Sequence, residues 1–128
     1  MIDAISDQIQ KKRKILIIGQ TPSPGVDVPH EWVAEELKNH QPVTEMHFNL
    51  SPSKGFDDFM QKLKQRFPQE LLSKQITIID PASTFCPAGI CTSVKNENAF
   101  YIDNNHLSGD AIPILQSAIE EYFSSAAH

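Results

Sequence analysis

Two short runs rich in β-branched residues, Lys14-Ile15-Leu16-Ile17-Ile18-Gly19 and Ile76-Thr77-Ile78-Ile79-Asp80-Pro81, constrain this chain more than any other feature. Neither alternates apolar with polar residues. An unbroken apolar run of this length fits a strand covered on both faces, the position of a strand in a parallel sheet flanked by helices. Helical patterns surround the runs. Residues 2–13 place Ile2, Ile5 and Ile9 on one face and end in the cluster Lys11-Lys12-Arg13-Lys14, where cations suit the helix dipole. Pro29 to Asn39 carries Trp32, Val33, Glu36 and Leu37 at helical offsets, with Trp32 as core and Asn39-His40-Gln41-Pro42 as the stop. Phe56, Phe59, Met60, Leu63 and Phe67 form one apolar stripe. In the tail, Ile114, Leu115, Ala118, Ile119, Tyr122 and Phe123 form a buried face behind an N-cap at Asp110 and a first-turn Pro113. Val43 to Leu50 alternates, as a half-buried strand or extended segment does. Helices alternating with apolar strands point to an α/β fold with a parallel sheet.

At 128 residues and 40% hydrophobic content the chain suits one domain, residues 1–128. Eleven Lys and Arg against 16 Asp and Glu leave a formal charge of −5, with no basic stripe for neutralising phosphates, so nucleic acid is not an expected partner. No stretch reaches the about 20 apolar residues of a membrane span, and the first residues lack the basic start and apolar run of a signal peptide. As written, the sequence reads as a soluble chain without an export signal.

Three places carry candidate chemistry. In Tyr101-Ile102-Asp103-Asn104-Asn105-His106-Leu107-Ser108 a carboxylate stands three residues before an imidazole. A serine attacks an ester at neutral pH only when a base takes its proton, and an imidazole does so best with a carboxylate holding its far N–H. Asp103 and His106 have the residue types for orienter and base, although the same spacing also suits a turn or cap. Thr21-Pro22-Ser23-Pro24-Gly25 leaves the end of the first strand, where open α/β sheets carry ligand loops; it reads equally as a plain connector. Cys86 and Cys91 flank a Pro-Ala-Gly-Ile reversal that can bring two sulfurs within bridging range. They read as a local disulfide, as two unrelated thiols, or, with His106, as three zinc ligands. The last is a poor match to structural zinc spacing, and nothing else calls for a metal or cofactor. His30, His40 and His47 read as surface or loop residues without an acidic or cysteine partner at ligand spacing. Asp80 reads as a cap or brace for the loop after the second run, and Ser108 as a turn or cap residue.

The order of Lys14-Ile-Leu-Ile-Ile-Gly-Gln-Thr-Pro, Gly25-Val-Asp-Val-Pro29, Ile79-Asp80-Pro81, the cysteine loop and Tyr101-Ile-Asp-Asn-Asn-His-Leu-Ser108 resembles the SGNH domain at the C-terminus of acyltransferase-3 membrane proteins, which O-acetylate bacterial surface polysaccharides. The resemblance covers nearly the whole chain. It implies a three-layer α/β/α, flavodoxin-like fold, an extracytoplasmic setting, and Asp103 and His106 as triad members. An acyl donor and a surface glycan would be the parent protein's partners.

The nucleophile block is the departure. SGNH enzymes carry the serine in Gly-Asp-Ser and complete the oxyanion hole with a glycine and an Asn in a Gly-x-Asn-type block. Here Gly109-Asp110 is followed by Ala111, and Asn104 and Asn105 lie in the wrong block. By order the chain resembles the second half of the domain, as a truncated product, a split-gene remnant or part of a longer protein. Unpaired apolar strand edges are then expected, to be met by a missing N-terminal half or a partner chain. Ser23, Ser51, Ser53, Ser83 and Ser93 are loop candidates for a substitute nucleophile, none in a context that forces its Oγ outward. The chain is expected to contribute Asp103 and His106 and to be inactive alone, the alternative being a non-enzymatic α/β module completed by a partner.

Overall fold

The computed structural model describes residues 1–126. In chain order its elements are α1 (Ile2–Gln10), β1 (Ile15–Ile18), α2 (Val28–Asn39), β2 (Glu45–Asn49), α3 (Lys54–Arg66), α4 (Pro68–Leu72), β3 (Ile76–Ile79), α5 (Pro81–Phe85), β4 (Ile90–Lys95), β5 (Asn98–Ala99) and α6 (Ile112–Ala126). The chain is α/β, with a parallel sheet and an antiparallel one. It divides into two compact units, Met1–Gly19 with Pro52–Ile79, and Gln20–Ser51 with Asp80 onward.

In the first unit, β1 and β3 pair in parallel from Ile15–Ile76 to Ile18–Ile79. Their apolar residues meet the stripes of two helices: Ile5 of α1, Leu63 of α3, Phe67 and Ile76 form the buried centre, with Ile2, Ile9, Ile15, Ile17, Phe59 and Met60 packed around it. The Gln75 side-chain amide donates to the Ile9 and Arg13 carbonyls at 3.4 and 3.3 Å, tying the α1–β1 turn to the start of β3. Helix α1 stops earlier than its pattern suggests. Lys12 takes a left-handed φ of 55°, so the basic cluster lies past the last turn instead of within it. Nor is β1 covered on both faces: Ile15, Leu16 and Ile17 are half-buried and Ile18 is 51% exposed, because β3 is its only paired strand among the described residues.

The second unit is organised by an antiparallel sheet in the order β2-β4-β5. The alternation of 45–49 has its consequence here: Met46 and Phe48 face the core, while Glu45, His47 and Asn49 are exposed. The register shifts between Met46 and His47, leaving Ser93 as the unpaired bulge residue of β4. Strands β4 and β5, absent from the sequence reading, flank the turn at Asn96 and Glu97, both at positive φ. Val28, Val94 and Tyr101 form one buried cluster, with Trp32 packed against it. Trp32 is only half-buried, its indole N–H donating to the Val43 carbonyl at 2.7 Å. Val33 and Leu37, at helical offsets in the same helix, are exposed.

Side chains set the helix starts in this unit. Asp27 caps α2 by accepting from the His30 N–H at 3.0 Å, ahead of Pro29 in the first turn. Asp80 caps α5 by accepting from the Ala82 N–H at 3.0 Å, as a brace at that position should. Asp110 is not the cap of the last helix. Ser108 caps a 3₁₀ turn, Gly109–Ala111, and α6 begins after it at Ile112, with Pro113 in its first turn. Phe123, placed by periodicity on the buried face, is 62% exposed.

Candidate active site

Residues 102–106 form a tight loop whose ends are joined by an antiparallel bridge between Tyr101 and Leu107. The Ile102 N–H donates to the His106 carbonyl at 2.9 Å, and the Ser108 N–H to the Phe100 carbonyl at 2.9 Å. Apolar packing anchors the base of the loop. Tyr101 is fully buried with its ring edge-on to Phe48 at 5.8 Å, and Leu107 packs on two core clusters. Ser108 donates to the Ala99 carbonyl at 2.6 Å and accepts from the Asp110 N–H at 3.2 Å, fixing the exit into α6.

On this frame the Asp103 carboxylate serves two ends. Oδ1 accepts the N–H groups of Asn105 and His106 at 2.9 and 2.7 Å, while Oδ2 lies 2.7 Å from His106 Nδ1. The spacing thus yields a turn bond on one oxygen and a carboxylate–imidazole contact on the other. Hydrogen bonds from Asn105 N–H, His106 N–H and the imidazole, in that order, hold the Asp103 carboxyl at about 2, below its ordinary 3.8. It is a carboxylate throughout the neutral range. An anion at Oδ2 favours the imidazole form with its proton on Nδ1, which leaves the Nε2 lone pair free to accept. The His106 side chain is 70% exposed, and Nε2 has no hydrogen-bond partner among the described residues.

The Thr21–Gly25 loop lies beside the pair. The Tyr101 hydroxyl donates to the Pro22 carbonyl at 2.7 Å, the Ser23 hydroxyl to the Asn104 carbonyl at 2.8 Å, and the Val28 N–H to the Asp103 carbonyl at 3.4 Å. Tyr101 and Val28 stood in the sequence only as parts of the resembling blocks, with no role assigned to either. Their signal was faint: an aromatic immediately before the Asp-x-x-His block, and a valine after a capping Asp27.

Cys86 and Cys91 form a disulfide, which settles the three readings of the pair and removes both sulfurs from any zinc set. Their Cα atoms are 3.9 Å apart, shorter than the roughly 4.4–6.8 Å usual for such bridges, because the turn at Ala88 and Gly89, both at positive φ, folds the two ends together. The bridge is buried, in a cluster with Phe85 and Ala111 against which Phe100 and Leu107 pack.

Four of the five serines considered as substitutes are engaged or buried elsewhere. Ser53 caps α3, Ser83 lies inside α5 and donates to the Asp80 carbonyl, Ser93 is buried in β4, and the Ser23 proton is held by Asn104. Ser51 is exposed in the loop after β2. His30 and His40 are exposed as expected; His47 is exposed too, but its Nε2 lies 3.4 Å from Glu45, an acidic neighbour that the sequence reading did not foresee.

The chain is thus an α/β protein that presents an imidazole in contact with a carboxylate on an exposed loop. The particular family follows from comparison with known sequences. The family model described as "SGNH domain (fused to AT3 domains)" matches residues 1–121, and the chain belongs to that family. It is an SGNH-type domain of the acyltransferase- and esterase-like kind. No curated protein and no solved structure matches the chain.

Proposed function

We propose that this chain forms the second half of an SGNH-type domain and supplies His106 as general base and Asp103 as its orienter to an O-acyl transfer or ester-cleaving site. One observation carries the reading: Asp103 Oδ2 stands 2.7 Å from His106 Nδ1 on an exposed loop, with Nε2 unpartnered among the described residues. That is the arrangement in which an imidazole takes a hydroxyl proton and returns it to a leaving group. The nucleophilic serine and the oxyanion donors come from a Gly-Asp-Ser block and an Asn block outside these 128 residues, since neither occurs in the sequence. The substrate is an acyl ester, and the acceptor is a hydroxyl of a surface polysaccharide, as in the O-acetylating proteins the family resembles. A disulfide in the core supports an oxidising, extracytoplasmic setting, beside a membrane acyltransferase domain.

Alone, the chain has a base with nothing to activate and no donors for a tetrahedral oxyanion, each of which is worth on the order of 10² or more in rate. Purified protein should neither label with a fluorophosphonate probe nor hydrolyse activated acetyl esters above background. Adding a polypeptide with the Gly-Asp-Ser and Asn blocks should create activity that His106→Ala removes. Turnover by the 128-residue chain itself, abolished by replacing one of its own serines, would overturn the proposal.

A second reading, a non-enzymatic module completed by a partner, is favoured by the parallel sheet, where among the described residues β1 has only β3 beside it and Ile18 is half-exposed. Stable binding of the complementing polypeptide without any activity would select it.

A further inference from the structure

The Asp103–His106 loop is braced from outside its own sequence. Three donors from residues 20–28 and 101 reach across: the Ser23 hydroxyl to the Asn104 carbonyl at 2.8 Å, the Val28 N–H to the Asp103 carbonyl at 3.4 Å, and the Tyr101 hydroxyl to the Pro22 carbonyl at 2.7 Å. The first two land on the carbonyls of the residues whose backbone makes the turn around Asp103. The third is buried and fixes the segment that carries Ser23. A carboxylate can hold one imidazole tautomer only as firmly as its own backbone is held, because small displacements of an orienting group weaken a hydrogen bond steeply with distance and angle. Among the described residues the Asp103 carboxylate is bonded only by residues 105–106, so those bonds cannot fix where the turn stands in the unit. The crossing bonds can.

We infer that Tyr101 and Ser23 are positioning residues for His106, forming a latch that ties the Pro22–Ser23 segment to the Asp103–Asn104 backbone and thereby keeps the imidazole proton on Nδ1. Ser23 thus acts through its hydroxyl as a donor to a carbonyl and not as a nucleophile. The inference rests on the reading of Asp103 and His106 as orienter and base, yet its test does not require an active enzyme.

Long-range ¹H–¹⁵N correlation spectra of the whole chain, at a pH where histidines are neutral, report which ring nitrogen carries the proton. In the wild type His106 should show the Nδ1–H pattern, with exposed His40 in the same spectrum as reference. In Ser23→Ala and in Tyr101→Phe the ratio of Nδ1–H to Nε2–H at His106 should fall roughly two- to tenfold, the range expected for losing one ordinary hydrogen bond. Ser23→Thr, which restores a hydroxyl, should recover it. Ser23 is exposed, so its alanine variant keeps the test alive even where Tyr101→Phe proves poorly folded. A wild-type tautomer ratio in folded Ser23→Ala and Tyr101→Phe overturns the latch, since a merely structural role would lower the melting temperature and leave the ratio unmoved. A wild-type ratio in Asp103→Asn overturns the orienter itself, an outcome distinct from failure of the latch.

Discussion

Asp103 and His106 are joined twice: the carboxylate accepts the backbone N–H of His106 on Oδ1 at 2.7 Å and meets its ring on Oδ2 at 2.7 Å. The backbone bond sets the position of the residue, and the ring bond sets its orientation. One side chain thereby contacts both the backbone and the ring of the other.

This double contact has an acid limit. Because the Asp103 carboxyl is depressed from 3.8 to about 2, its bonds stabilise the folded loop fully above pH 3.8 and are lost as pH falls through about 2. The amide shifts of Asn105 and His106 should therefore titrate together with a midpoint near 2. In Asp103→Asn that transition should disappear. A midpoint at or above the ordinary carboxyl value would contradict the hydrogen bonding described for the loop.

In a complemented enzyme, Asp103→Asn should leave binding of the complementing polypeptide unchanged and lower turnover on the order of 10⁴-fold, the scale seen when the carboxylate orienting a catalytic imidazole is replaced by an amide. Steady-state ester hydrolysis measures this directly. An effect confined to KM would assign Asp103 to substrate contact instead.

Reducing the Cys86–Cys91 bridge, or replacing both residues by serine, releases a loop with a sequence separation of 5. Chain entropy for so short a loop gives a loss of about 2 kcal/mol, read as a lower urea midpoint. Thiol titration of unfolded, unreduced protein from an oxidising compartment should find no free cysteine. Two free thiols would remove both the bridge and the extracytoplasmic argument built on it.

Leu63 is fully buried at the centre of the first unit, whereas Leu72, at the end of α4, is 78% exposed. Leu63→Ala should cost about 2–5 kcal/mol by leaving a cavity among Ile5, Phe67 and Ile76. Leu72→Ala should stay within about 0.5 kcal/mol. Denaturant melts of the two variants compare them, and equal effects would refute this packing.

Much of the secondary structure was legible because it rests on local periodicity. Ile15–Ile18 and Ile76–Ile79 are parallel strands, Phe56–Phe67 presents one apolar stripe, and Glu45–Asn49 alternates as its residues suggested. Asp80 and Ser108 cap as their residue types favour. The spacing from Asp103 to His106 was equally legible, since both bonds between them form within one turn of chain. Where neighbours distant in sequence decide, periodicity was silent or misled. Ile18 is exposed because, among the described residues, no second strand lies beside β1, and Phe123 points outward although its offset matches Ile119. Strand β4 took shape only through its pairing with β2 and β5, and its bulge removed Ser93 from the loop serines. The bonds from Ser23 and Tyr101 span 81 and 79 residues, distances over which no local pattern carries information. Sequence by itself determined which residues could hold and orient a proton; tertiary structure decided that the loop bearing them would be held still, because only contacts remote in the chain can fix a turn against the body that carries it.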